Sequence, residues 1–217
     1  SHPDGAPVLS DFSLSLAPGE HVALFGPSGC GKSSLLAVMA GVLPARGGHV
    51  EIGGQVLDAG SAPQLRERTA WMGQRPHVFA ATVHGYVALA DPRASREGVR
   101  AAIRLAGLER VSRAHPAASL GEGGSGLSGG EILRLALARL ALRADQAELL
   151  LVDEPTAHLD GETAQQVSDA LMSIARGRTL VVATHDPQLA ARMDRVVYLG
   201  EQARPMPLDE EAERATA

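Results

Sequence analysis

Aromatic residues make up only 3% of this chain of 217 residues. Its core must therefore be built from Ala, Leu and Val rather than from rings. Cysteine is nearly absent as well: Cys30 stands alone, which excludes an internal disulfide and fits a reducing compartment. No apolar run approaches the roughly 20 residues that cross a bilayer, and the first residues show no signal peptide. Basic residues are outnumbered, 20 against 25 acidic ones, for a formal net charge of −5. That balance argues against a nucleic-acid partner, which would need Lys and Arg to neutralise phosphates. What remains is an ordinary globular composition, 45% hydrophobic and 21% charged, long enough for one large domain or two small ones.

Against this plain background one string carries chemistry. Residues 26–33 read Gly26-Pro27-Ser28-Gly29-Cys30-Gly31-Lys32-Ser33, the G-x-x-x-x-G-K-[ST] phosphate loop of a nucleotide hydrolase. Its glycines permit tight turning and leave backbone N–H groups free to ring a phosphate. Lys32 supplies a point charge for the β and γ oxygens, and the Ser33 hydroxyl is a Mg²⁺ ligand candidate. His21–Phe25 is a short apolar strand feeding the loop. Ser33 and Ser34 open a helix whose N-terminus faces the same anion. Cys30 reads as a small residue at a variable loop position in preference to a redox-sensitive thiol.

Along the chain, Phe12–Leu16 and His21–Phe25 are strand candidates separated by Pro18-Gly19. His49–Ile52 and Gln55–Leu57 flank Gly53-Gly54 as a hairpin. Thr69–Gly73 is a further strand. Residues 95–107 and 131–143 read as amphipathic helices, joined by a Gly/Ser-rich stretch. Glu148–Val152 and Thr179–Ala183 are continuous apolar strands of the type buried in a parallel sheet. A helix over 161–176 lies between them, and Val196–Leu199 is a last strand. Alternation of strand and helix through the C-terminal half argues α/β. The tail, Asp209-Glu210-Glu211-Ala212-Glu213, is acidic and reads as solvated.

Four further places bear on the site. Leu149–Val152 runs into Asp153-Glu154, one carboxylate suited to Mg²⁺ and a second suited to polarising the attacking water. Leu127-Ser128-Gly129-Gly130-Glu131 precedes a helix. Ser128 and Glu131 make an S-x-x-E capping box, and Gly129 and Gly130 expose backbone N–H groups to a second anion. Gln74 ends a strand candidate, where its amide suits Mg²⁺ and water. His185 ends the strand 179–183, at the edge where ligands bind in open α/β sheets. Trp71 and Met72 read as core.

In their order along the chain, the phosphate loop, Gln74, Leu127–Glu131, Asp153-Glu154, Ala157-His158-Leu159-Asp160 and His185 resemble the nucleotide-binding domain of ABC transporters. The likeness spans about residues 3 to 200, and the Leu-Ser-Gly-Gly-Glu string is that family's own signature. It implies a P-loop NTPase fold: a RecA-like core with a parallel sheet, an N-terminal antiparallel β subdomain and an inserted helical subdomain at about 76–146, within a single domain over 1–217. It implies ATP and Mg²⁺ as ligands and a head-to-tail pair of such domains, identical or different. ATP then lies between the phosphate loop of one copy and Ser128, Gly129 and Gly130 of the other. Glu154 is implied as the base, His185 as a γ-phosphate contact, and Asp160 as a reporter across the interface.

Ser119-Leu120-Gly121-Glu122-Gly123-Gly124 is similar to an element of exporter-type ABC proteins. Trp71–His77 followed by Ala81-Thr82-Val83 is similar to the CydD side of the CydDC family of thiol exporters. These likenesses imply a half-transporter with an N-terminally fused membrane domain, working at the cytoplasmic face of the inner membrane on cysteine or glutathione. Alternatives are a separately encoded importer or lipoprotein-release ATPase, a soluble ABC protein acting on DNA or ribosomes, and a cassette that binds without turnover. The family places a Tyr upstream of the loop to stack on adenine, and here His2 is the ring available. The expectation is that ATP and GTP bind within about tenfold of each other.

Overall fold

The computed structural model describes residues 9–10, 12–114, 120, 123 and 126–200. Five strands form one parallel sheet: β1 (His21–Phe25), β4 (Thr69–Met72), β5 (Leu149–Asp153), β6 (Thr179–Thr184) and β7 (Arg195–Tyr198), in the order β4-β5-β6-β1-β7. Their sequences are nearly unbroken apolar runs because helices cover both faces of a parallel sheet. One face packs Leu24, Leu151, Val181 and Ala183 against Leu36 of α1 (Lys32–Met39) and Ala40, which follows it. The other packs Ala23, Leu150, Val152, Leu180 and Val182 against the remaining helices.

On that second face, α6 (Gly129–Ala144) is buried nearly all round, by Leu133, Leu135, Ala136, Leu137, Leu140 and Ala141 among others, as expected of a helix at the centre of a layer. α7 (Gly161–Ala175) buries Val167, Leu171, Ile174 and Ala175, a single stripe at helical spacing. α3 (Val83–Ala88) and α4 (Arg96–Leu105) pack on α6, and α5 (Glu109–Ala114) packs on α3 and α4. Together they occupy the segment expected to form the helical subdomain. α2 (Ala62–Glu67) packs on β4, and α8 (Pro187–Ala190) lies against β1 and β6. A separate antiparallel hairpin, β2 (Glu51–Ile52) with β3 (Gln55–Val56), turns at Gly53-Gly54. This is the α/β P-loop NTPase architecture.

Two expectations need correction. Residues 12–16 form no strand: Phe12, Leu14 and Leu16 are half-buried on the α1 face while Ser13 and Ser15 are exposed, so the alternation is real, but no ladder partner accompanies it. Trp71 is not core. It occupies the edge strand β4 and is 40% exposed, whereas Met72 beside it is buried. No helix among the described residues is long and apolar enough to cross a membrane.

Candidate nucleotide site

Parallel pairing brings the candidate residues to one edge. Phe25 stands opposite Thr184 and Ala183 opposite Asp153. The residues that follow these strands (Gly26 onward, His185 and Glu154) therefore emerge together at the carboxyl ends, where open α/β sheets bind ligands. Met72 pairs with Val152, which puts Gln74 beyond the same edge, exposed.

The phosphate loop closes on itself through Lys32. Its ammonium donates to the Gly26 carbonyl at 2.7 Å and to the Pro27 carbonyl at 3.1 Å. Gly26 admits no side chain: a Cβ there would overlap the Leu199 carbonyl oxygen and press on Cys30 Sγ. Gly200 in turn lies against Pro27 and Cys30. The end of β7 thus walls the loop, a contribution with no signal in the sequence because it follows from the pairing of β7 with β1. Pro27, Ser28, Gly29 and Ser33 are exposed, while Gly31 and Lys32 are buried and Cys30 and Ser34 half-buried.

Asp153 and Glu154 part company at the end of β5. Asp153 is 4% exposed, and burial pushes its carboxyl above the usual range, against the pull of a hydrogen bond from Ser33. Its Oδ1 is buried with no hydrogen-bond partner. Glu154 takes a left-handed backbone, φ 49°, costly for a residue with a side chain, and its N–H is tied to the Ala183 carbonyl at 2.9 Å. That turn sends its carboxylate to Lys32 Nζ at 3.2 Å and to His185 Nδ1 at 2.7 Å.

The orphaned Asp153 oxygen beside the Ser33 hydroxyl tests the fit of a metal. Two hard oxygen ligands suit Mg²⁺, which keeps its remaining positions for water and phosphate oxygens. Among the described residues no cluster of three or more His, Cys, Asp or Glu offers an all-protein cage. The donor set therefore fits Mg²⁺ arriving with a nucleotide.

Ser128 builds the capping box expected for it: its hydroxyl accepts from Glu131 N–H at 3.2 Å, and Glu131 Oε2 accepts from Ser128 N–H at 2.8 Å. Gly129 is exposed, and a Cβ at Gly130 would meet Thr163 and Leu159. The signature thus borders the loop between β5 and α7. Asp160 caps α7, accepting from Thr163 N–H at 2.9 Å and Thr163 Oγ1 at 2.8 Å, and those bonds hold its carboxyl below the usual range. These contacts of Ser128, Gly130 and Asp160 run among themselves and not to residues 26–33. His158, in the same loop, is left-handed at φ 63°. His2, Gly121, Glu122 and the acidic tail lie outside the described residues.

The family profile described as ABC transporter matches residues 9–157. A shorter match, over 126–191, is to a profile described as an AAA domain, putative AbiEii toxin of a type IV TA system. The mycobactin import ATP-binding/permease protein IrtB of Mycobacterium tuberculosis is 40% identical over 196 residues, 89% of this chain and 34% of that protein. The glutathione/L-cysteine transport system ATP-binding/permease protein CydC of Escherichia coli is 35% identical over 193 residues, 88% of this chain and 33% of that protein. A solved bacterial Atm1-family ABC exporter with ATP bound superposes with a TM-score of 0.84 at 28% identity, covering 92% of this chain and 35% of that one. The chain thus spans about a third of the length of the curated relatives it matches. With the phosphate loop, the signature and the β5 carboxylates in place, the chain belongs to the ABC transporter family, as an ATP-binding, ATP-hydrolysing domain.

Proposed function

We propose that this chain is the engine of a half-transporter: two such domains close head to tail over ATP, and hydrolysis reopens them. The observation that carries the reading is the convergence at one sheet edge of the Lys32 loop, the unpartnered Asp153 oxygen and the Glu154–His185 pair. In this reading Lys32 and the backbone N–H groups of residues 28–34 hold the phosphates. Ser33, Asp153 and Gln74 would hold Mg²⁺, which would supply positive charge to the phosphate oxygens. Glu154 takes the proton of the attacking water, and His185 fixes that carboxylate through Nδ1 while presenting Nε2 outward. Catalysis is then mostly positioning and charge stabilisation.

Ser128, Gly129 and Gly130 serve the site of the opposite copy. Their support is the exposed start of a 16-residue helix, whose N–H groups favour an anion. Asp160, one loop away, couples the two sites. The helical group α3–α6 is the surface that meets a membrane domain, fused N-terminally in the whole protein, at the cytoplasmic face of the membrane. Both curated relatives described above are named ATP-binding/permease proteins, which supports this reading.

Cargo is a property of that other part. Relatives named for mycobactin and for glutathione and cysteine share this domain at 40% and 35% identity. The thiol reading draws its support from CydC; the relative named for import supports a second reading on direction. The test of the engine is Mg²⁺-dependent ATP hydrolysis by the chain at high concentration. Turnover lost in Lys32→Ala is expected, and undiminished turnover in that variant contradicts the site.

A further inference from the structure

The two groups on which the proposed chemistry depends face each other. Lys32 and Glu154 are both 5% exposed, with Nζ 3.2 Å from Oε1. An ammonium has three N–H donors. Those of Lys32 have three acceptors within reach: the Gly26 carbonyl at 2.7 Å, the Pro27 carbonyl at 3.1 Å and Glu154. Glu154 is engaged on both oxygens, by Lys32 on Oε1 and by His185 Nδ1 at 2.7 Å on Oε2. The lysine gives two hydrogen bonds to the loop and pairs its charge with Glu154, and the carboxylate faces a cation where a water would be polarised.

We infer that this pair is a resting clasp which the nucleotide opens. It rests on the reading of residues 26–34 as a phosphate site. A phosphate is a stronger acceptor than a peptide carbonyl, so a bound diphosphate draws Nζ off the loop carbonyls and off Glu154. The base is thereby released where a phosphate has replaced it on Lys32. The coupling is reciprocal: whatever holds Lys32 to Glu154 opposes nucleotide binding, and releasing it tightens binding by the same factor.

The sequence offers a direct probe, because Lys32 is the single lysine of the chain. Protein labelled with ¹⁵N-lysine therefore gives one side-chain ammonium signal. In the nucleotide-free wild type the clasp predicts a signal protected from hydrogen exchange. Glu154→Gln is expected to lose that protection, and so is Glu154→Asp, which keeps the charge but withdraws it by one methylene. Both variants are expected to bind Mg²⁺-free ADP, which is not hydrolysed, about tenfold more tightly than wild type. ADP is expected to shift the wild-type signal.

If both variants leave the signal and the ADP affinity unchanged, the clasp is refuted, while ADP binding itself leaves the nucleotide site standing. If Glu154→Gln alone tightens ADP binding and the Glu154→Asp signal stays protected, charge rather than contact is responsible, which also overturns the clasp. If calorimetry finds no ADP binding in any form, the nucleotide reading fails and the clasp fails with it.

Discussion

His185 Nδ1 stands 2.7 Å from Glu154 Oε2, a contact made between the ends of two neighbouring parallel strands. The two differ sharply in surroundings: the carboxylate is 5% exposed and the imidazole 58%. A buried acceptor is thus oriented by a ring that reaches solvent. Glu154→Gln is expected to lower kcat by about 10²–10⁴-fold, the range of a general base, with ATP binding no weaker than in the wild type. His185→Ala is expected to lower kcat while changing the ATP dissociation constant far less. Steady-state hydrolysis beside equilibrium binding separates the two effects, and a loss of binding equal to the loss of rate would contradict these roles.

Asp153 supplies a metal test. Its carboxyl is pushed up by burial, so folding disfavours the ionised form. Its contribution to stability is complete below the unfolded-state value and is lost as pH rises through the raised folded-state value. Asp153→Asn should therefore leave the nucleotide-free protein at least as stable at neutral pH. It should also abolish the extra thermal stabilisation that Mg²⁺ adds to ATP. A variant that keeps the Mg²⁺ increment would remove Asp153 from the metal site.

Gly26 tests the wall of the phosphate loop. A Cβ there meets the Leu199 backbone, which cannot swing aside. Gly26→Ala is expected to cost about 1–3 kcal/mol in urea unfolding, as overpacking does. Ser28→Ala, at an exposed position of the same loop, should stay within about 0.5 kcal/mol. Equal effects of the two would contradict the close packing of β7 on the loop.

Much of this was legible in the chain. The phosphate loop and the strands His21–Phe25, Leu149–Asp153 and Thr179–Thr184 announce themselves as motif and as apolar runs. The capping box at Ser128 and Glu131 marks the start of α6. The short helices were hidden for physical reasons. α2, α3 and α5 have six residues each, too few for a helical period, and α3 contains Gly85 within its span. The segment 12–16 has strand alternation without a strand because pairing is a tertiary fact. In the site, residue types were readable from motifs, but the Lys32–Glu154 contact was not. It depends on the register that aligns β1, β6 and β5, and on the left-handed turn at Glu154.

Ser128 separates a helix cap from an anion site. Ser128→Ala removes an acceptor at the helix start and should cost about 1 kcal/mol. Ser128→Asp retains a good cap, so stability should hold, yet it places a negative charge where a phosphate is proposed to dock. ATP-driven pairing is expected to be lost in Ser128→Asp despite normal unfolding, and pairing that survives this substitution would leave Ser128 as a cap alone.

Closure of two copies over ATP is read out by light scattering of Glu154→Gln with and without ATP and Mg²⁺. ATP is expected to convert monomer to dimer and ADP to leave it monomeric. A variant that binds ATP but stays monomeric at high protein concentration would contradict this closure.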